Sequence, residues 1–165
     1  MSYGRYLEDF EAGQVFKHWP GRTITEFDGT LFSLMSMNPH PLHIDEHYAS
    51  GTQHGKRLVE GPLVISLVIG MSQADVGGRS TRTIEYREVR HLGPVFHGDT
   101  IYAESTIRGV EDGGIVTVES VGRNQREETV LSFCRKIVVP KKGSQESGVP
   151  ARINDGSREP KSCGN

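Results

Sequence analysis

The pattern of apolar and polar residues predicts one α+β domain. Residues 61–75 (GPLVISLVIGMSQAD) are apolar on nearly every helical face, with Pro62 in the first turn and glycines at both ends of the segment. The β-branched residues also fit a buried strand, but the length of the segment and its proline and glycine punctuation favour a helix. A helix that is apolar all round must be covered by other elements.

Period-two patterns predict strands that can cover this helix. Alternating segments at residues 79–88, 100–110, 114–124 and 128–139 fit four strands, and residues 14–22 fit another that ends at Pro20-Gly21. The sequence EDGG between two of these segments is typical of a hairpin turn. We therefore expect an antiparallel meander curled around one long central helix.

A second helix is predicted from Thr25 to about residue 37. Thr25 and Asp28 have the spacing of a capping box, in which each side chain binds the other residue's backbone N–H. The apolar residues of this segment form one helical stripe: Phe27, Leu31, Leu34 and Met35.

Composition and charge exclude several classes of partner. A formal net charge of -2 without a basic block argues against nucleic-acid binding. No N-terminal segment has the apolar length of a signal peptide, and the longest apolar run, residues 62–71, is too short to cross a bilayer. We expect a cytoplasmic protein with no membrane partner. Residues 143–165 are rich in Gly, Ser, Pro and charge, which predicts a disordered tail after a domain of residues 1–142.

Titratable side chains are concentrated in residues 37–48 (MNPHPLHIDEHY), between the two predicted helices. Pro39 and Pro41 fix the backbone there, so a rigid loop presents these groups, and such loops often carry chemistry. Three histidines and Asp45 suggest a metal site, but their spacing matches no established zinc pattern. We expect no metal ion and no cofactor.

Three segments together resemble the MaoC-like dehydratases, or (R)-specific enoyl-CoA hydratases. These are residues 38–45 (NPHPLHID), 59–71 (VEGPLVISLVIGM) and 93–100 (GPVFHGDT). The resemblance implies a hotdog fold, an acyl-CoA thioester substrate, addition of water to an enoyl-CoA or its removal, and a homodimer. Three further segments resemble the branch that acts on mesaconyl-, methylmalyl- or itaconyl-type thioesters: residues 8–14 (EDFEAGQ), 22–28 (RTITEFD) and 120–139 (SVGRNQREETVLSFCRKIVV).

The resemblance assigns roles to individual residues. His43 falls on the family's catalytic histidine, and Gly61 on the glycine whose N–H polarises the thioester carbonyl. Asn38 stands where the family has a catalytic aspartate, so it can hold a water but cannot take its proton. An alternative alignment places Ser36 there, which restores no carboxylate. Asp45 is open to two roles, as a carboxylate that serves His43 or as the cap of a turn at residues 46–48.

Two alternatives of function stay open at this point. One is an acyl-CoA thioesterase of the same fold, and the other is a non-catalytic acyl-CoA-binding subunit. Tyr86, Arg87 and Arg90 can meet a CoA phosphate or a substrate carboxylate, although a solvated charged face is the preferred interpretation.

Overall fold

A computed structural model describes residues 3–144 of the chain. It contains five strands and four helices: β1 (Val15–Thr23), α1 (Glu26–Ser36), α2 (Pro41–Ile44), α3 (Glu46–Ser50), α4 (Gly61–Met71), β2 (Arg82–His91), β3 (Thr100–Glu111), β4 (Ile115–Arg123) and β5 (Thr129–Val138). A 3₁₀ turn at Leu7–Asp9 precedes β1, and a π-helical turn at Gln73–Gly77 follows α4. Residues 145–165 lie outside the described residues, so the predicted tail remains a prediction.

The five strands form one antiparallel sheet in the order β1-β3-β4-β5-β2. The predicted α+β class is confirmed, but the predicted meander holds only for β3, β4 and β5. β2 pairs with β5 at the far edge of the sheet instead of with β3. The reason is the connection at residues 92–99, which contains Gly93 and Pro94 and is too long for a tight hairpin.

β1 continues beyond the point where the sequence predicted its end. It runs through Pro20 and Gly21 to Thr23, and its register with β3 breaks between His18 and Arg22. Proline lacks an N–H group and is tolerated on an edge strand, where one side of the backbone has no neighbouring strand. Since β1 is such an edge, the predicted stop at Pro20-Gly21 is wrong.

α4 packs one face against the concave side of the sheet. Leu63, Val64 and Val68 are buried there among apolar side chains that include Leu131 and Phe133 of β5. The other face, at Pro62, Ser66 and Gly70, is exposed. One chain therefore covers its apolar helix only in part. No helix in the described part of the chain is both long and apolar enough to span a membrane.

α1 contacts the β2–β3 connection and the N-cap residue of α4, because Gly29 lies beside His97 and Ser33 donates to Glu60. The predicted capping box is present, because Thr25 Oγ1 accepts from Asp28 N–H and Asp28 accepts from Thr25 N–H. Its apolar stripe faces outward, with Phe27 70%, Leu34 72% and Met35 75% exposed. The buried face carries the small residues Gly29 and Ser33 instead. A side chain at position 29 would crowd His97, because a Cβ on Gly29 would lie 2.3 Å from its Nε2.

Candidate active site

His43 lies in α2, a single helical turn shaped by its first residues. Pro41 occupies the start of the turn, and Nδ1 of His40 accepts a hydrogen bond from Leu42 N–H at 3.2 Å. The half-buried His43 ring lies 2.9 Å from the Leu58 carbonyl oxygen through its Nδ1. Because a carbonyl only accepts, Nδ1 carries the proton, and in the neutral ring Nε2 holds the free lone pair. The Leu58 carbonyl thus favours the His43 tautomer in which Nε2 is unprotonated and can act as a general base.

Gly61 begins α4, three residues after the carbonyl that binds His43. The segment before it is fixed on the connection between β2 and β3, because Val59 N–H donates to Val95 O at 2.9 Å and Leu58 bridges Phe96. The Gly61 N–H lies in the first helical turn and donates to no acceptor among residues 3–144. A helix N-terminus carries a partial positive charge and free donors, which favours an anionic oxygen nearby. The ring of His43 and the N–H of Gly61 therefore lie at the two ends of one short segment, residues 58–61.

Asn38 stands just after α1 and shapes the turn into α2. Its Oδ1 accepts from His40 N–H at 3.2 Å, and its own N–H donates to Ser33 O at 3.0 Å. The residue of the alternative alignment, Ser36, turns back on its own helix and donates to Phe32 O at 2.7 Å. Both residues that the sequence offered for the aspartate position therefore bond backbone groups close to them in the chain.

Asp45 caps the short helix α3. Its Oδ1 accepts from Tyr48 N–H at 3.0 Å, and the residue is exposed. No hydrogen bond joins Asp45 to His43 within residues 3–144. Of the two roles that the sequence left open, capping is the one with a contact in the structure.

Sequence reasoning missed a buried carboxylate next to Gly61. Glu60 is the N-cap residue of α4, is 1% exposed, and accepts a hydrogen bond through Oε1 from Ser33 Oγ. Its Oε2 is buried and has no partner within the described residues. A charged residue within the apolar run LVEGPLV was the available signal. Its burial places a carboxylate between α1 and the glycine of the site.

Two further histidines lie close to this region. His97 is half-buried against Gly29, and burial lowers its pKa, with the nearby positive charge of Arg57 acting in the same direction. The ring of His91, at the end of β2, lies directly against Gly61. No local sequence pattern predicts either contact, because each one joins residues that are far apart in the chain.

Two ion pairs join charged residues of β2 along the edge strand. Arg87 Nε lies 2.8 Å from Glu85 Oε2, and Arg90 lies 3.8 Å from Glu88. This arrangement agrees with the solvated charged face preferred from sequence. Among residues 3–144, no group of three or more His, Cys, Asp or Glu side chains is placed to hold a metal ion.

Comparison with known proteins identifies the class to which this fold and site belong. The family described as MaoC like domain matches residues 9–129. The chain therefore belongs to the MaoC-like enoyl-CoA hydratase and dehydratase family.

Two curated relatives show how the chain compares in length. It is 31% identical to mesaconyl-CoA hydratase of Cereibacter sphaeroides over 144 residues, which are 84% of this chain and 42% of that protein. It is 30% identical to (R)-specific enoyl-CoA hydratase of Rhodospirillum rubrum, over 89% of this chain and 93% of that protein. The chain spans about two fifths of the length of the first relative and nearly the whole length of the second.

Solved structures identify the fold. A MaoC-domain protein from Chloroflexus aurantiacus matches with a TM-score of 0.80 and 28% identity, over 93% of this chain and 45% of that chain. A Mycobacterium tuberculosis protein with a double hotdog fold matches with a TM-score of 0.76 and 23% identity, over 95% of this chain and 52% of that one. The described chain has one hotdog fold, as the sequence predicted.

Proposed function

We propose that this protein adds water to an enoyl-CoA thioester, or removes it in the reverse direction. The observation that carries the proposal is that two catalytic groups lie close together. The Leu58 carbonyl holds the His43 ring with Nε2 free, and the unpartnered N–H of Gly61 comes three residues after Leu58. Membership of the MaoC-like family supports the same reaction. The cytoplasmic location expected from sequence remains a prediction.

Each step of hydration has a group to perform it. Nε2 of His43 accepts a proton from water while the water oxygen bonds to the β-carbon of the enoyl group. The π electrons move towards the α-carbon, and negative charge develops on the thioester oxygen. The Gly61 N–H, at the positive end of α4, stabilises that charge. The proton on Nε2 then passes to the α-carbon, so one water is added and His43 returns to its starting state.

The asparagine at position 38 determines which residue carries the proton in this mechanism. An amide can hold the attacking water by a hydrogen bond but cannot take its proton. His43 therefore serves as base and then as acid. Asp45, occupied as the cap of α3, is assigned no proton in this scheme.

The acyl group that we propose is short and branched or dicarboxylic. The support is the 31% identity to proteins named mesaconyl-CoA hydratase and β-methylmalyl-CoA dehydratase. An asparagine at position 38 adds no negative charge beside the reacting carbons. A second carboxylate on the acyl group would meet less repulsion there than from the family's aspartate.

The proposed assembly is a homodimer with the acyl chain bound near the subunit boundary. The exposed face of α4 and the free edge of β2 are surfaces that a second hotdog can cover. The longer relatives support this, because two of the compared proteins are about twice the length that the chain matches, and one of them has a double hotdog fold. A second copy of this chain would supply the other half.

A triad-like set of side chains in the described part of the chain bears on the thioesterase alternative. Asp75, His18 and Ser105 are connected in the order of a hydrolase triad, with 2.9 Å from Asp75 Oδ2 to His18 Nδ1 and 2.9 Å from His18 Nε2 to Ser105 Oγ. Ser105 is 0% exposed, and its hydroxyl also bonds Ser120. A nucleophile must reach the thioester, so this buried chain of hydrogen bonds does not favour hydrolysis.

Absorbance measurements test the proposal directly. Loss of the enoyl-thioester band of crotonyl-CoA or mesaconyl-CoA without release of free thiol reports hydration, whereas release of free thiol reports hydrolysis. His43→Ala should lower the rate by about 10²–10⁴, the usual contribution of general acid–base catalysis. Asn38→Ala should lower it by at most about tenfold, the value of one neutral hydrogen bond. His54→Ala, which removes a histidine with no role in the mechanism, is the matched control.

The outcomes separate the alternatives. Thiol release in step with the loss of the band would identify a thioesterase, and binding of acyl-CoA without either signal would identify a binding subunit. Asn38→Asp should hold or raise activity on crotonyl-CoA and lower it on mesaconyl-CoA, because a new negative charge repels the substrate carboxylate. A fully active His43→Ala variant would refute the catalytic assignment.

A further inference from the structure

His91 occupies the space that a side chain at position 61 would fill. A Cβ built on Gly61 would lie 2.5 Å from Cε1, 2.7 Å from Nε2 and 3.1 Å from Nδ1 of His91. All three distances are shorter than van der Waals separation, so the edge of the imidazole ring lies directly against Gly61 and leaves no room for a Cβ. The glycine at the start of α4 is thus matched to a particular histidine from β2.

The backbone of β2 directs His91 to this position. The register between β2 and β5 breaks between Arg87 and Arg90, and Glu88 within that break has φ of 50°. An irregularity of this kind bends a strand and re-aims the side chains that follow it. His91 comes just after the break as the last residue of β2, where it pairs with Leu131.

The nitrogens of His91 are free to bind a ligand. The residue is exposed, and neither ring nitrogen makes a hydrogen bond to any part of the chain that the structure describes. A neutral imidazole always carries one N–H, and a protonated one carries two. A donor is therefore available beside Gly61 whatever the protonation state of His91.

The chemistry of the proposed reaction needs such a donor. Charge develops on the thioester oxygen, and oxyanion sites commonly offer it more than one hydrogen bond. Gly61 supplies a single backbone N–H at the end of α4. We propose that His91 is a catalytic residue, whose imidazole N–H gives the thioester oxygen its second hydrogen bond beside Gly61. This assignment rests on the proposed hydratase function for its place in a reaction.

Two substitutions separate a donor from a ring that only fills space. His91→Phe keeps an aromatic ring against Gly61 and removes the N–H, whereas His91→Gln removes the ring and keeps a neutral donor. His54→Phe makes the same change at a histidine outside the site. If His91 only packs, His91→Phe should be nearly neutral and His91→Gln the more damaging change. If it donates, the order is reversed.

The measurement uses butyryl-CoA, a saturated thioester that cannot be hydrated. Difference infrared spectroscopy of the bound thioester should show its carbonyl band at lower frequency than in water. The lowering should be smaller in His91→Phe and largely kept in His91→Gln and His54→Phe. With crotonyl-CoA, kcat of His91→Phe should fall by about 10²–10³, as for loss of one oxyanion donor, with a smaller change in KM.

An unchanged carbonyl band in His91→Phe would overturn the assignment, and so would the absence of any lowering in the wild-type protein. The band is read without turnover, so it separates this proposal from the hydratase proposal. A wild-type protein that shows the His91-dependent lowering but hydrates no enoyl-CoA would refute the hydratase function and support the donor role. Melting temperatures of the variants check that each one folds.

Discussion

Replacing Gly61 by alanine places a methyl group where the His91 ring now lies. The new carbon would stand 2.5 Å from Cε1 and 2.7 Å from Nε2 of His91, whereas carbon atoms in contact stay about 3.5–4.0 Å apart. The ring must therefore retreat by about 1 Å. His91 is exposed at the end of an edge strand, so it can rotate without disturbing the core.

The effect on stability should be small for this reason. A side chain forced away from its rotamer costs about 0.5–1.5 kcal/mol. Alanine is favoured over glycine in a helix by up to about 1 kcal/mol, which offsets part of that cost. We expect the free energy of unfolding of Gly61→Ala to stay within about 1 kcal/mol of wild type, a change in melting temperature of about 2–4 °C.

The effect on activity should be much larger than the effect on stability. The methyl group displaces His91 and crowds the approach of the thioester oxygen to the residue 61 N–H. We expect kcat on crotonyl-CoA to fall by about 10²–10³, the scale of one lost oxyanion donor. The assay is loss of the enoyl-thioester absorbance, with melting temperature measured on the same samples.

A double-mutant cycle with His91→Ala identifies the cause of the loss. If the methyl group acts by displacing the ring, Gly61→Ala should cost far less when His91 is already absent. An equal loss in both backgrounds would show that the methyl group blocks the substrate directly. A wild-type kcat in Gly61→Ala would refute the proposal that the Gly61 N–H and His91 bind the thioester oxygen.

Three other predictions concern the fold and its assembly. Burial lowers the pKa of His18 despite its bond to Asp75, so the unfolded chain binds the proton more readily, and stability should be full above about pH 6.5 and decrease below it. Urea unfolding at pH 8 and 5.5 should show this loss, reduced in His18→Gln; an equal loss in both proteins would contradict it. Thr25→Ala removes the cap of α1 and should cost about 0.5–2 kcal/mol; an unchanged urea midpoint would show that the cap is not needed. Sedimentation equilibrium at micromolar concentration should give twice the mass of one chain, and a monomer alone would count against the proposed homodimer.

Features set by neighbouring residues were predictable from the sequence. The capping box of Thr25 and Asp28, the start of α4 at Gly61-Pro62, and the hairpin between β3 and β4 follow from spacings of a few residues. These rules involve local backbone hydrogen bonds and turn geometry, which do not depend on the rest of the fold.

Features set by contacts across the chain were not predictable. The place of β2 beside β5 depends on a long connection, and the contact of His91 with Gly61 joins residues that no local pattern links. The apolar stripe predicted the helix α1 correctly. Periodicity alone could not show that the opposite face, with Gly29 and Ser33, would be the buried one. The resemblance assigns roles to His43 and Gly61 because their motifs are short and continuous, and no such motif assigns a role to Glu60 or His91.

In the proposed homodimer, the incomplete cover of α4 would make protein concentration a variable in every stability measurement. One face of this helix is buried by its own sheet, and the face at Pro62, Ser66 and Gly70 is open in a single chain. If a second copy covers that face, folding and association share one equilibrium, and dilution lowers the apparent melting temperature by mass action. An acyl-CoA bound at the subunit boundary would shift the same equilibrium towards the pair, so ligand, partner and folded chain would stabilise one another.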